Sequence, residues 1–292
     1  MADLPIVEIP KSSTRHTQNA VSPFRYPGGK AFLGGFLQDL IEKKLSSGPV
    51  SFVEPFCGGA GAALNLLADK TVQELYLNDA DIRIYSAWKA ILSESEKFVD
   101  AIRSTALTMD EWYRQQEIAS SKRTGDYSFE LGFAAFFMNR TTRSGIIERA
   151  GPIGGYDQRG KWKIDARFNR EKLVSQIQWI SENRDRINLS QKDALSFISE
   201  MSKKLNVKRS LFFVDPPYVQ AGGRLYYDGM NEAKHIALAD ILASRKIPNW
   251  ILTYDDAPLI RQLYKMEKIA KISVNYSLQS KRKECELLVL PN

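Results

Sequence analysis

"VSFVEPFCGGAGAALNLLADKTVQELYLND" (50–79) is the stretch that decides the fold. "VSFVE" (50–54) is an apolar run of strand length, "AGAALNLLADK" (60–70) is rich in helix formers, and "ELYLND" (74–79) is a second strand closing on an acid. A glycine-rich turn joins the first strand to the helix. Strand, turn, helix and strand in that order make the first half of a nucleotide-binding, parallel sheet. Glycines between strand and helix let the backbone approach a ligand, and the helix N-terminus favours negative charge. Gly59-Ala60-Gly61 fits the first half of a dinucleotide fingerprint, but Leu64 stands at its final glycine position, so the turn alone does not fix the ligand. Asp79 narrows the choice. It ends the second strand, 21 residues after Gly58, where an acid can accept from both hydroxyls of a ribose.

The same logic applies further along, at "LFFVDPPYVQ" (211–220). Leu211 to Val214 reads as a short buried strand, and Pro216 and Pro217 cannot continue a ladder because they have no N–H to donate. Asp215 therefore falls at the carboxyl end of a strand, where open α/β sheets bind their ligands. An acid, two rigid prolines and Tyr218 at that place point to group transfer near a planar substrate.

The whole chain frames these two sites. Its 292 residues suffice for a full core, and 43% hydrophobic with 26% charged residues is ordinary for a soluble globular protein. No apolar run approaches the roughly 18 residues of a membrane span. The first residues lack the pattern of a secretory signal, and cytoplasmic residence is expected. Cys57 and Cys285 are too few for a disulfide framework or a structural zinc site, and no metal is expected. The net charge of +7 permits a polyanionic partner. Residues 1–20 read as a polar tail. From Ile82 to about Arg186 the pattern is helical ("IYSAWKAILSESEKFVDAIRS", "YSFELGFAAFFMNR"), with a glycine-rich basic stretch between Arg140 and Arg170. Strands return at "RINLS" and "SLFFVD", followed by a helix from about Glu232 to Ser244, then "WILTYD" and closing strands near "KISVNYS" and "ECELLVL". This is one α/β sheet with a mostly helical insert.

"FRYPGGK" (24–30), "FVEPFCGGAG" (52–61), "LND" (77–79) and "DPPY" (215–218) resemble, in that order, the motifs of the Dam-type (D12 class) DNA adenine-N6 methyltransferases. The resemblance covers residues 22–82 and 186–292 and is looser across the insert. It implies a Rossmann-like class I methyltransferase sheet: a catalytic domain of residues 21–82 and 186–292, and a target-recognition insert of residues 83–185. It implies S-adenosyl-L-methionine as cofactor, bound by Tyr26, Lys30, Glu54, Phe56, Gly58, Asp79, Asp193 and Asp215. Tyr26 takes the place of an aromatic that packs on the cofactor, and Lys30 that of a lysine pairing with its carboxylate. Asp193 has two readings, a contact to the cofactor's adenine or an N-cap for "ALSFISEMSKK". The chain departs from the family at Tyr26, where tryptophan is frequent, and at Ala60, where glycine is usual.

The chemistry agrees with the resemblance. The exocyclic nitrogen of adenine is a poor nucleophile because its lone pair is delocalised into the ring. The Asp215 carboxylate and Pro216 carbonyl form an acceptor pair for its two N–H groups, Pro217 stiffens the turn, and Tyr218 can stack on the base. The expected catalytic group is thus Asp215, Pro216, Pro217 and Tyr218, acting on a flipped adenine of double-stranded DNA. The insert should read that DNA. Between Asn139 and Arg170 lie eight Lys or Arg against Glu148, Asp157 and Asp165. Arg140 and Arg143 are expected near the flipped base, and Arg159, Lys161 and Lys163 on phosphates. Glycines 151, 154, 155 and 160 suit a loop that orders on the duplex. No nuclease centre is apparent, so cleavage would fall to a separate restriction or defence partner. An RNA methyltransferase, a nicotinamide-dependent oxidoreductase and a catalytically inactive DNA-binding module are the rival readings, the intact "DPPY" arguing against the last.

Overall fold

A computed structural model describes residues 4–7, 22–25, 29–45, 48–121, 125–148, 150–219, 230–277 and 281–292. The apolar runs form eight strands: β1 (Ile6–Val7), β2 (Ser51–Glu54), β3 (Glu74–Asn78), β4 (Ile187–Ser190), β5 (Ser210–Val214), β6 (Trp250–Asp255), β7 (Lys268–Ser277) and β8 (Lys281–Leu290). They join one sheet in the order β1-β7-β8-β6-β5-β2-β3-β4. Every neighbouring pair is parallel except the two that β8 makes, with β6 and β7. Chain order reverses between β2 and β5, which are direct neighbours (Phe52 opposite Leu211). Their carboxyl ends open on the crevice where doubly wound sheets hold ligands.

Among the described residues, ten α-helices accompany the strands: α1 (Gly34–Leu45), α2 (Gly61–Ala68), α3 (Ile82–Ser93), α4 (Ser95–Ser104), α5 (Met109–Ser120), α6 (Phe129–Thr141), α7 (Arg170–Glu182), α8 (Ala194–Lys204), α9 (Glu232–Ala243) and α10 (Pro258–Leu263). Central strands are buried on both faces, so their side chains alternate between two apolar layers. Phe52, Leu75, Leu77, Leu211 and Phe213 join a cluster with α1, α2, α3, α6 and α7. Val53, Tyr76, Phe212, Val214 and Leu252 join another with α8, α9 and α10. The helices of residues 83–185 therefore share a core with the sheet. Phe24 packs at 5.2 Å on Trp88 of α3 and at 5.8 Å, edge-on, against Phe136 of α6.

Two expectations change here. The N-terminal segment is not tail throughout, because β1 pairs in parallel with β7 and Lys271 N donates to Pro5 O at 2.9 Å. The basic loop after α6 is fastened by its own hydrogen bonds. Gln158 donates to the carbonyls of Ile153 (2.8 Å) and Gly155 (2.7 Å), and its Oε1 accepts from Ile164 N at 2.9 Å. Gly154 has φ +92°, and a Cβ there would sit 2.6 Å from the Trp162 carbonyl, so only glycine lets the chain fold back this tightly. Tyr156 then docks edge-on against Trp112 of α5 at 5.9 Å.

Candidate active site

The turn after β2 is shaped by buried polar braces. Asn78, fully buried at the end of β3, donates to the carbonyls of Pro55 and Lys192, each at 3.0 Å. Trp88 Nε1 donates to Gly58 O at 2.8 Å. Ala60, where the family pattern has glycine, takes the left-handed conformation (φ 47°, ψ 33°) in front of α2. Asp79 accepts from Gly58 N at 2.9 Å and from Asp81 N at 3.0 Å, which holds it at the mouth of the turn. Burial, with Asp81 close by, raises its pKa to about 7 despite those two N–H bonds.

Glu54 ends β2 and is buried, with its Oε2 lacking a hydrogen-bond partner. Burial and the nearby Asp215 carboxylate push its pKa well up, against the pull of Lys30. An orphaned buried acceptor at a ligand crevice is costly unless something fills it. Phe56 is half-buried and packs, like Tyr218, against the second apolar cluster.

Across the crevice, Asp215 follows β5 and stays partly exposed, while Pro216 and Pro217 are buried. Thr253 Oγ1 of β6 donates to Asp215 Oδ1 at 2.6 Å, and Lys30 Nζ donates to Asp215 Oδ2 at 2.9 Å. Lys30 also donates to the Tyr218 hydroxyl at 2.9 Å and lies 5.4 Å from the centre of its ring. A second carboxylate, Glu286 of β8, stands 3.4 Å from the same ammonium. Burial would lower the Lys30 pKa, but Asp215 and Glu286 outweigh it and raise it. Val219 N donates to Asp255 Oδ1 at 3.0 Å, tying the turn to the end of β6.

Several expected residues thus come together: Lys30, Glu54, Phe56, Gly58, Asp79, Asp215 and Tyr218 all belong to the carboxyl ends of β2, β3 and β5 or the segment facing them. Tyr26 lies outside the described residues. The Lys30 ammonium rests on two protein carboxylates and a phenol. Asp193 adopts the second of its readings: it caps α8 through Leu195 N (3.0 Å) and Ser196 N (3.3 Å), and its other oxygen pairs with Lys234. Thr253, Asp255 and Glu286 were not anticipated. The last carried a signal, a lone acid inside the apolar run "ECELLVL".

The DNA-facing candidates divide. Arg140 is drawn inward: Nε donates to Arg167 O at 2.7 Å, Nη2 to the same carbonyl, and Nη1 to Pro23 O at 3.4 Å. Burial and the neighbouring Arg25 and Arg167 lower its pKa to about 10. It clasps the base of the loop rather than projecting from it. Asn139, fully buried, exchanges hydrogen bonds with the backbone N–H (2.7 Å) and carbonyl (2.6 Å) of Arg25. Arg143, Arg159, Lys161 and Lys163 are exposed, beside the exposed rings of Tyr156 and Trp162. Among the described residues there is no cluster of metal-ligating side chains and no helix long and apolar enough to cross a membrane.

The sequence model of the family described as D12 class N6 adenine-specific DNA methyltransferase matches residues 26–278. A search of curated proteins finds no significant match. Among solved structures, two of the rRNA methyltransferase aviRa from Streptomyces viridochromogenes are similar at 13% and 12% identity. The first covers 96% of this chain and 94% of that one with a TM-score of 0.39, the second 91% and 86% with 0.37. Scores this low carry no argument about substrate.

Proposed function

Because the chain belongs to the D12 class N6 adenine-specific DNA methyltransferase family, and so is an adenine-specific DNA methyltransferase, we propose that its β2–β5 crevice brings S-adenosyl-L-methionine to the N6 amino group of an adenine flipped out of double-stranded DNA. The carrying observation is the pairing of Asp215, held by Thr253 and Lys30, with the Glu54 and Asp79 acids across the crevice.

The acids fit this cofactor. Asp79 has the place and the acceptor capacity for the ribose hydroxyls. The orphaned Oε2 of Glu54 suits the cofactor's α-ammonium, whose hydrogen bonds would satisfy it. When bound, the cofactor supplies an electrophilic methyl group on sulfonium sulfur. The chain's own residues do the rest. The Asp215 carboxylate and the Pro216 carbonyl accept the two amine N–H bonds, favour a pyramidal nitrogen and aim its lone pair. Tyr218 stacks on the extruded ring and offsets part of the few kcal/mol lost on unstacking. The exposed Arg143, Arg159, Lys161 and Lys163 hold the duplex, and residues 83–185 serve as its recognition unit. No group for strand cleavage accompanies them in this reading; a restriction or defence partner would supply it.

The test is transfer of label from S-adenosylmethionine to duplex DNA and to structured RNA, with single-molecule sequencing of DNA from a methylation-free host expressing the protein. Label in N6-methyladenine at one sequence context is the expected result. Label confined to RNA, or absent from adenine, overturns the reading.

A further inference from the structure

Glu286 sits directly opposite Asp255 in the antiparallel β6–β8 pair. Directly opposed side chains share a face of the sheet, and like charges so placed repel. Glu286 is also 2% exposed, and burying a carboxylate costs free energy unless a cation and hydrogen bonds compensate it. Both carboxylates are engaged at the same turn. Asp255 accepts from Val219 N, one residue past Tyr218, and Glu286 stands against Lys30 at 3.4 Å. Lys30 in turn donates to Asp215 and Tyr218. The end of the β6–β8 pair therefore grips the "DPPY" turn by three routes: Thr253 to Asp215, Asp255 to Val219, and Glu286 through Lys30 to Asp215 and Tyr218.

We propose that Glu286 is a positioning residue for methyl transfer, seating the Lys30 ammonium so that it orients the Asp215 carboxylate and the Tyr218 phenol toward the target base. The inference rests on the reaction proposed above and adds a residue outside every motif that led to it. An ammonium placed between two carboxylates is fixed in direction, whereas one with a single partner swings with it. Without Glu286 the ammonium loses one of the two carboxylates that fix it, and the Asp215 acceptor loses part of its aim. Misplacement of a reacting group by about 1 Å can cost on the order of 100-fold in rate.

The experiment compares wild type, Glu286→Gln, Glu286→Asp, Lys30→Met and the double variant Lys30→Met/Glu286→Gln. It reads three quantities: single-turnover methyl transfer to duplex DNA at saturating cofactor, the Kd of S-adenosylhomocysteine by calorimetry, and the melting temperature. Glu286→Gln, equal in shape, should transfer at least about tenfold more slowly with a Kd within about threefold of wild type. Glu286→Asp should recover part of the rate. The double variant should be no slower than Lys30→Met, because both act through one ammonium. A Glu286→Gln rate within twofold of wild type in a folded protein overturns the proposal. So does a weakened Kd with an unchanged saturated rate, which would put Lys30 on the cofactor. If wild type itself transfers nothing to duplex adenine, the proposed reaction has failed, and that is visible before any variant is compared.

Discussion

Asp215 and Asp79 are both acids at strand ends, yet their surroundings assign them different work. Asp215 keeps a polar shell of Thr253 and Lys30, suited to receiving N–H donors from a substrate. Asp215→Ala should abolish methyl transfer while leaving much of the cofactor affinity, because losing one transition-state hydrogen bond typically costs about 100- to 1,000-fold in rate. A rate within about tenfold of wild type would contradict its role. Asp79 holds its proton up to about pH 7 in the free protein, chiefly through burial. A folded-state pKa above the unfolded one means that the native state binds more protons. Asp79 therefore costs stability as pH climbs from about 4 to about 7, and gives its best stability below that window. Ribose hydroxyls donate to the ionised form, so the affinity for S-adenosylhomocysteine should rise as pH approaches 7 and level off above it. Calorimetry between about pH 5 and 8 reads this, and Asp79→Asn should flatten the profile. A flat wild-type profile excludes ribose binding through this carboxylate.

At the scale of elements, what the sequence shows depends on where each residue spends its side chain. The β2–α2–β3 unit and β5 are legible because both faces of these strands are buried, which leaves unbroken apolar runs. Helix α1 is not legible in the same way, since it opens with Gly34-Gly35, which reads as loop, although Leu37, Ile41 and Leu45 bury one stripe. Arg140 looked like a contact near the flipped base because composition cannot tell a side chain bound to backbone from one facing solvent. Glu286 was hidden by distance, its partner Lys30 lying at the far end of the chain. Gly132 is a further case, a glycine inside a helical run whose purpose only packing shows. A Cβ there would lie 2.5 Å from the Ser86 carbonyl carbon of α3, so α6 crosses α3 at backbone contact. Gly132→Ala should force the helices apart, and overpacking of about 1–3 kcal/mol outweighs the alanine's helix preference of up to about 1 kcal/mol. The melting temperature should fall by a few degrees, and an unchanged or higher value would show that the crossing has slack.

For the whole molecule, the net charge of +7 matters less than where the positive groups stand. Arg159, Lys161 and Lys163 are exposed on a loop braced by its own hydrogen bonds, which limits the ordering entropy lost on meeting DNA. Alanine at each should weaken binding to cognate and scrambled duplexes alike and lower the salt slope by about one unit. Arg143→Ala should cost about 1–3 kcal/mol on the cognate site alone. Arg140→Ala should act on the melting temperature instead, by freeing the carbonyls of Arg167 and Pro23. Should the three loop substitutions leave affinity and slope untouched, the duplex lies on another face.

The Arg140–Arg167 clasp, with the bridge between Thr142 and Pro152, brings the two ends of the basic loop together at one point. That closure bears on how such an enzyme can diversify. Residues 83–185 include the crossover from β3 to β4 and much of a shared core, so an exchange of the whole segment would break the sheet. A segment that begins and ends at the same clasp is a smaller heritable unit. Its length can change without moving the strands that carry the crevice.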